Sequence, residues 1–154
     1  MAAQTLPGGT FTMAEDLTVM QQEGLIKHLG ISTVSADQVA EAQSIAPIVC
    51  VQNFYNLAHR VDDELIESLA AQDIAYVPYF PLGGFTPLQS DTLEAVAIRL
   101  EVTPTAVAPA WLLQRSPNVL LIPGTSSLAH LHENIKGAAL TLSENELTEL
   151  NSIG

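Results

Sequence analysis

Hydrophobic and polar positions along the chain switch repeatedly between helical and strand periods. Thr12-Met-Ala-Glu15 is a capping box, in which a hydroxyl and a carboxylate satisfy open amides at a helix start. Met13, Leu17 and Met20 then recur on one face. This helix is expected to end near residues 24–28, and a short strand over roughly 28–31 follows it. Ser35-Ala-Asp-Gln38 is a second capping box, opening a helix with Val39, Ala42 and Ala46 inward and Pro47 as its stop. Residues 48–51, Ile-Val-Cys-Val, lack polar alternation and predict a strand buried on both faces. Asp62 and Asp63 place carboxylates in the first turn of the next helix, where Leu65, Ile66 and Leu69 share a face. A strand is predicted over 74–79, then a helix capped by Ser90 that runs to residue 100. Thr103-Pro104 opens another helix, with proline at the first helical position. Residues 119–122 make the fourth apolar strand, and two helices close the chain, one after Ser127 and one after the box Ser143-Glu-Asn-Glu146.

Short apolar strands separated by amphipathic helices imply right-handed βαβ units and a parallel sheet, in one α/β domain over 1–154. The pattern fits either an open doubly wound sheet or part of a (β/α)8 barrel. No internal repeat, low-complexity segment or GxGxxG motif interrupts it.

Composition narrows the function classes. With 17 acidic and 5 basic residues the net charge is −12, which opposes binding to nucleic acid and to anionic membrane surfaces. One cysteine, Cys50, rules out a disulfide framework and is expected to be an inert core thiol. No Cys/His cluster has metal-ligand spacing. The first residues carry no basic-then-apolar leader pattern, and the longest uncharged stretch, 74–90, holds Pro78, Pro81 and Pro87. A cytoplasmic protein is expected. Charged residues are only 14% of the chain, against about 25% in an average globular domain, and mean hydropathy is +0.26. Two readings fit: a lean-surfaced, Ala-rich monomer, or apolar surface buried against another chain.

In either fold, chemistry sits beyond the carboxyl ends of the strands. Those ends read Ser32-Thr33, then Gln52-Asn53-Phe54-Tyr55, then Tyr79-Phe80-Pro81-Leu82-Gly83-Gly84, then Pro123-Gly124-Thr125-Ser126-Ser127. Amides and hydroxyls suit a carboxamide, an aromatic face suits a flat ring, and Gly-Thr-Ser-Ser before a helix suits phosphate. Taken singly, each is an ordinary set of turn and capping residues.

Taken in order, these strings resemble the C-terminal half of the aldo-keto reductases, (β/α)8 barrel enzymes that reduce carbonyls with NADPH. The likeness rests on Gly24-Leu-Ile-Lys-His-Leu-Gly-Ile-Ser32, Val51-Gln-Asn-Phe-Tyr-Asn56 and Tyr79-Phe-Pro-Leu-Gly83. It continues through Trp111-Leu-Leu-Gln-Arg-Ser-Pro-Asn118, Ile122-Pro-Gly-Thr-Ser-Ser127 and Glu133-Asn134. The resemblance implies that Ser32 and Gln52 bond a nicotinamide carboxamide and that Tyr79 stacks on the ring. It implies Leu82 and Gly83 along the pyrophosphate, Thr125 and Ser126 at the adenosine phosphates, and Glu133 and Asn134 at the adenine.

Three positions depart from the family pattern. Thr33 stands where asparagine is usual, and His130 stands where an arginine often meets the 2′-phosphate, a weaker anion partner. Pro109 falls inside a predicted helix, where it costs ~3 kcal/mol unless a kink is wanted. The resemblance also implies that the Tyr/Asp/Lys/His reductase tetrad belongs to the first four strands, which have no counterpart here. A half barrel leaves two sheet edges and its inner face bare, and pairing as a homodimer is the simplest closure. Candidate acid–base groups at a shared mouth are then Tyr55, Tyr79 and His59, for cofactor-free work on a small molecule such as cyclisation, isomerisation or dehydration. The alternatives are a non-catalytic NADPH-binding module, or a reductase fragment active only with the missing half. The segment His59-Arg60-Val-Asp62-Asp63 is otherwise expected to be a solvated loop, the other acids to lie on helix exteriors, His28 to be structural and Trp111 to be packing.

Overall fold

The computed structural model describes residues 2–4, 12–83 and 90–153, in which parallel strands alternate with helices. The strands are β1 (Ala2–Gln4), β2 (Leu29–Ser32), β3 (Ile48–Phe54) and β4 (Ala75–Tyr79). The helices are α1 (Thr12–Gln22), α2 (Ala36–Ile45), α3 (Asp63–Ala70), α4 (Asp91–Arg99), α5 (Pro104–Arg115), α6 (Leu128–Ala138) and α7 (Glu144–Leu150). All four strands lie in one sheet in chain order, each pair parallel.

Local chemistry sets most helix starts. The capping boxes at Ser35/Gln38 and Ser143/Glu146 form in both directions, and the Ser90 and Ser127 hydroxyls accept from the amides of Leu93 and His130. The side chains of the Thr12–Glu15 box lie outside the described residues. Thr103 differs from expectation: its hydroxyl pairs with Thr105 at 2.9 Å rather than capping α5. Pro109 lies buried within α5, which continues across it as one helix. The lost amide is one bond in twelve residues, and burial of Ala106 to Leu112 around it outweighs that defect.

Two strand expectations need correction. Residues 119–122 do not form a full strand. Only Val119 bridges β4, through the Tyr76 amide to the Asn118 carbonyl and the Leu120 amide to the Tyr76 carbonyl. The fourth strand of the sheet is β1 instead, paired with β2 on the far edge, and its short Ala-Ala-Gln run carries no strand signal.

The two faces of the sheet are unequal. Leu29, Ile31, Ile48, Val51 and Tyr76 are buried with the helix residues Val39, Leu65, Ile66, Leu69, Val96 and Trp111 in one apolar core. The opposite face is barer: Cys50, Gln52, Val77 and Tyr79 are only half-buried, and beyond Val119 the side chains of Leu120 and Ile122 are 56% and 48% exposed. Along α6, Leu128, Leu131 and Ile135 are also exposed. Close backbone approach holds α5 against α6, where a Cβ added at Gly137 would meet the Ala106 carbonyl oxygen at 2.9 Å. Among the described residues, no single helix is long and apolar enough to cross a membrane.

Candidate functional site

Strand register assembles the site. Ser32 pairs with Gln52, Gln52 with Val77, and Phe54 with Tyr79, so each row shares a face at the carboxyl ends of the strands. Just beyond β2, Thr33 adopts φ +60°, a left-handed conformation that costs a threonine energy and must be held from outside. Its amide donates to the Gln52 carbonyl at 2.9 Å. Its hydroxyl lies 3.4 Å from both the Ser32 and Tyr79 hydroxyls.

Asn53, buried on the other face of β3, clamps the same loop. Its Oδ1 accepts from the Val34 amide at 3.0 Å, and its Nδ2 donates to the Val34 carbonyl and to Asp62 Oδ2, both at 2.7 Å. Tyr76 donates to the same Asp62 oxygen at 2.8 Å. Burial, followed by this bond, pushes the Tyr76 hydroxyl far above its ordinary pKa.

Aromatic rings cover the carboxyl ends of β3 and β4. His59 stacks on Phe54 (4.3 Å between centroids), and Phe54 lies nearly parallel to Tyr79 (5.8 Å, 16°). Phe80 meets Tyr79 edge-on at 5.4 Å from a left-handed backbone position, φ +56°. The Asn56 side chain donates to the Phe80 carbonyl at 3.1 Å and ties the two loops together. Two clefts flank this group. One, of ≈ 360 Å³, is lined by Tyr79, Phe80, Pro81, Leu82, Ile122, Pro123 and Gly124. The other, of ≈ 320 Å³, runs past Thr33, Asn53, Phe54, His59, Asp62 and Tyr79.

The expected site residues therefore divide. Ser32, Gln52, Tyr79, Leu82 and Gly83 come together around the strand ends, with the Gly83 amide closing a turn onto the Phe80 carbonyl. Gly84 lies outside the described residues. Thr125 and Ser126 are exposed before α6, and the Thr125 hydroxyl accepts from the Ser127 amide at 3.1 Å. Glu133 and Asn134 are half-buried on α6. Tyr55 is not at the mouth. It is fully buried on the helix side, stacked on Trp111, and its hydroxyl donates to Asp63 Oδ1 at 2.5 Å. Burial, then Asp63, pushes it up to about 12, the wrong direction for a proton donor near neutrality. The reason is period two: Phe54 takes the open face of β3, so its neighbour Tyr55 goes to the core.

Asp62 and Asp63 are likewise not a solvated acidic turn. Asp62 makes no side-chain cap on α3, bonding Asn53 and Tyr76 instead. Asp63 is ringed by Tyr55, Arg60 and Arg115. Burial alone would raise its carboxyl, but Tyr55 and the two guanidinium groups outweigh it and hold it below the ordinary 3.8. Because the folded pKa is depressed, this stabilisation is complete above the unfolded value and is lost as pH falls through the folded one. Tyr55→Phe removes one of the lowering groups. Urea titrations between pH 6 and pH 3 are expected to show a shallower acid loss in this variant than in the parent. Equal slopes would mean that the Tyr55 bond leaves the Asp63 proton affinity unchanged.

Sequence reasoning placed Asn53 and Phe54 at a strand end but assigned neither a role, and it read Asp62 as part of a solvated loop. Their signal was weak: an amide and an aromatic at a strand end, and an acid at a helix start, each have commoner roles. His28 is exposed at the amino end of β2, Trp111 is buried packing, and burial pushes the half-buried Cys50 thiol up, away from reactivity. Among the described residues, no group of three or more His, Cys, Asp or Glu side chains is placed to hold a metal.

Comparison with known proteins agrees with this architecture. A family model described as the aldo/keto reductase family matches residues 10–154. Pyridoxine 4-dehydrogenase of Escherichia coli is 64% identical over 137 residues, 89% of this chain and 48% of that protein. An uncharacterized oxidoreductase of Schizosaccharomyces pombe is 39% identical over 140 residues, 90% of this chain and 46% of that protein. The chain thus spans about half the length of these curated relatives. Among solved structures, a thermostable aldo-keto reductase crystallised with the inhibitor epalrestat superposes with a TM-score of 0.86 at 30% identity, covering 99% of this chain and 59% of that one. Aldose reductase of Giardia lamblia superposes with a TM-score of 0.81 at 25% identity, covering 91% and 48%. The parallel strands and helices described above correspond to part of such a barrel.

Proposed function

Since the chain belongs to the aldo/keto reductase family, we infer that it is the C-terminal half of such a barrel and that it retains the nicotinamide-nucleotide side of the pocket. β2, β3, β4 and residues 119–122 then take the places of strands five to eight. The short β1, parallel to the outer edge of β2, takes the place before them, where the resemblance alone implies no counterpart. The observation that carries this reading is Tyr79: it stands on β4 on the same face as the Ser32–Gln52 row and lines the ≈ 360 Å³ cleft between residues 79–82 and 122–124. That aromatic and apolar lining suits a flat ring, and the strand-end amide and hydroxyl beside it suit the ring's polar edge. Ser32 and Gln52 would hold the carboxamide, Tyr79 the ring, Leu82 and Gly83 the pyrophosphate. Thr125 and Ser126 would meet the adenosine phosphates, and Glu133 and Asn134 the adenine. Such a nucleotide would supply hydride only where a proton donor faces the same pocket.

The proton side of a carbonyl reduction is missing from this set. Lys27 lies at the amino end of β2 and Lys136 in the last turn of α6, so neither lysine lies beside a tyrosine at the strand ends. The lone chain is therefore proposed to bind NADPH without standard reductase turnover. Its pocket would be shared across a homodimer that covers the open sheet face and the exposed Leu120, Ile122, Leu128, Leu131 and Ile135. Any chemistry at such a mouth would be non-redox. The 64% identity to half of a dehydrogenase favours a second reading, in which a complementary N-terminal half restores oxidoreductase activity.

NADPH is expected to bind with its fluorescence altered, and Tyr79→Ala to weaken it on the order of tenfold by removing one stacking face. No signal at millimolar NADPH removes the nucleotide from this reading. Sedimentation is expected to show a dimer; a clean monomer sinks the closed pair. Carbonyl reduction that appears only on adding the complementary half decides for the second reading.

A further inference from the structure

The ring that would meet a flat ligand does not stand alone. Phe54 and Tyr79 are register partners on β3 and β4, so their side chains rise from the same row. His59 in turn stacks on Phe54 (4.3 Å, 24°). The imidazole is carried there by a tight loop in which Asn56 and His59 exchange backbone bonds of 3.1 and 3.0 Å. Phe80 stands edge-on to both Phe54 (6.0 Å, 81°) and Tyr79 (5.4 Å, 85°). The Tyr79 hydroxyl lies 3.4 Å from Thr33. Tyr79 thus has Phe54 stacked on it, Phe80 perpendicular to it and Thr33 at its hydroxyl, and it lines both clefts.

We propose that Phe54, backed by His59, is a positioning residue that fixes the plane of Tyr79 for stacking against a nicotinamide ring. His59 then serves as a wall of the stack rather than as an acid–base group. This rests on the nucleotide reading above. The physical reason is preorganisation: a platform already immobilised gives up little freedom when a ring lies on it, whereas a loose tyrosine must be ordered by the ligand.

Calorimetric titration of the whole chain with NADPH and with adenosine 2′,5′-bisphosphate, which lacks the nicotinamide, tests the assignment. Phe54→Ala is expected to weaken NADPH about 3- to 10-fold, the worth of one aromatic pair, while the bisphosphate constant stays within about twofold. Phe54→Tyr, which keeps the ring, is expected to restore parental NADPH binding. Unchanged NADPH affinity in Phe54→Ala overturns the proposal. So does an equal loss of both ligands, which would mark Phe54 as a general support of the loops. If the parent chain binds the bisphosphate but gains nothing from the nicotinamide portion, the nucleotide reading of Tyr79 falls, and this proposal with it.

Discussion

Trp111→Ala is expected to lower the unfolding free energy by about 3–5 kcal/mol, the range for removing a fully buried aromatic. Trp111 is 1% exposed at the middle of α5. Its ring stacks on Tyr55 at 6.0 Å and lies beneath the Arg60 guanidinium at 5.5 Å. Its Nε1 donates to Asn151 Oδ1 at 2.9 Å, just after α7. One side chain therefore joins α5, the end of β3 and the chain's last turn. Truncation opens a cavity against Tyr55 and leaves Asn151 without its donor. Urea unfolding followed by far-ultraviolet circular dichroism measures the loss, because Trp111 is the chain's sole tryptophan and its own emission disappears with it. A change below about 1 kcal/mol would mean that neighbouring side chains collapse into the space.

Asn53→Ala is expected to cost about 3 kcal/mol through a different mechanism, buried polar groups left without partners. Val34 is 6% exposed, and both its amide and its carbonyl bond to the Asn53 carboxamide. Removing that carboxamide strands both groups and frees Asp62 from one of its two donors. Thr33, next in the chain, also loses part of what holds it at φ +60°. Hydrogen exchange at the Val34 amide is expected to accelerate well beyond the global change. Asn53→Asp discriminates further, since it sets a second carboxylate where Nδ2 lies 2.7 Å from Asp62. Repulsion exists only while both acids are ionised. The deficit of Asn53→Asp relative to Asn53→Ala is therefore expected at pH 7 and to shrink as pH falls and one acid takes a proton. A deficit independent of pH would show that the two side chains move apart.

Both predictions turn on residues that were unequally legible. Trp111 was readable as packing from its place in an apolar helix. The Asn53 clamp was not, because Asn53, Val34 and Asp62 meet only when β3 runs beside β2 and α3 begins over both. Tyr55 shows the same limit from the other side. As a tyrosine one residue past a strand it suited a mouth, and only the facing of Phe54 sends it inward to Asp63. The fourth strand shows it again. Residues 119–122 are apolar enough for a strand, yet only the Tyr76–Val119 bridge forms against β4, so the ladder does not extend along them.

What the amino-acid sequence determined by itself was whatever depends on near neighbours. Helix starts at Ser35, Ser90, Ser127 and Ser143 follow from contacts three residues apart, and the alternation of apolar strands with amphipathic helices follows from burial periods. The family strings at the strand ends were readable for the same reason. The tertiary structure alone decided which face each strand-end residue takes, which acids are buried, and how Phe54 and His59 brace Tyr79. The facing of the strand-end residues depends on register between strands about 20 to 25 residues apart in sequence, and a shift of one residue would reverse it.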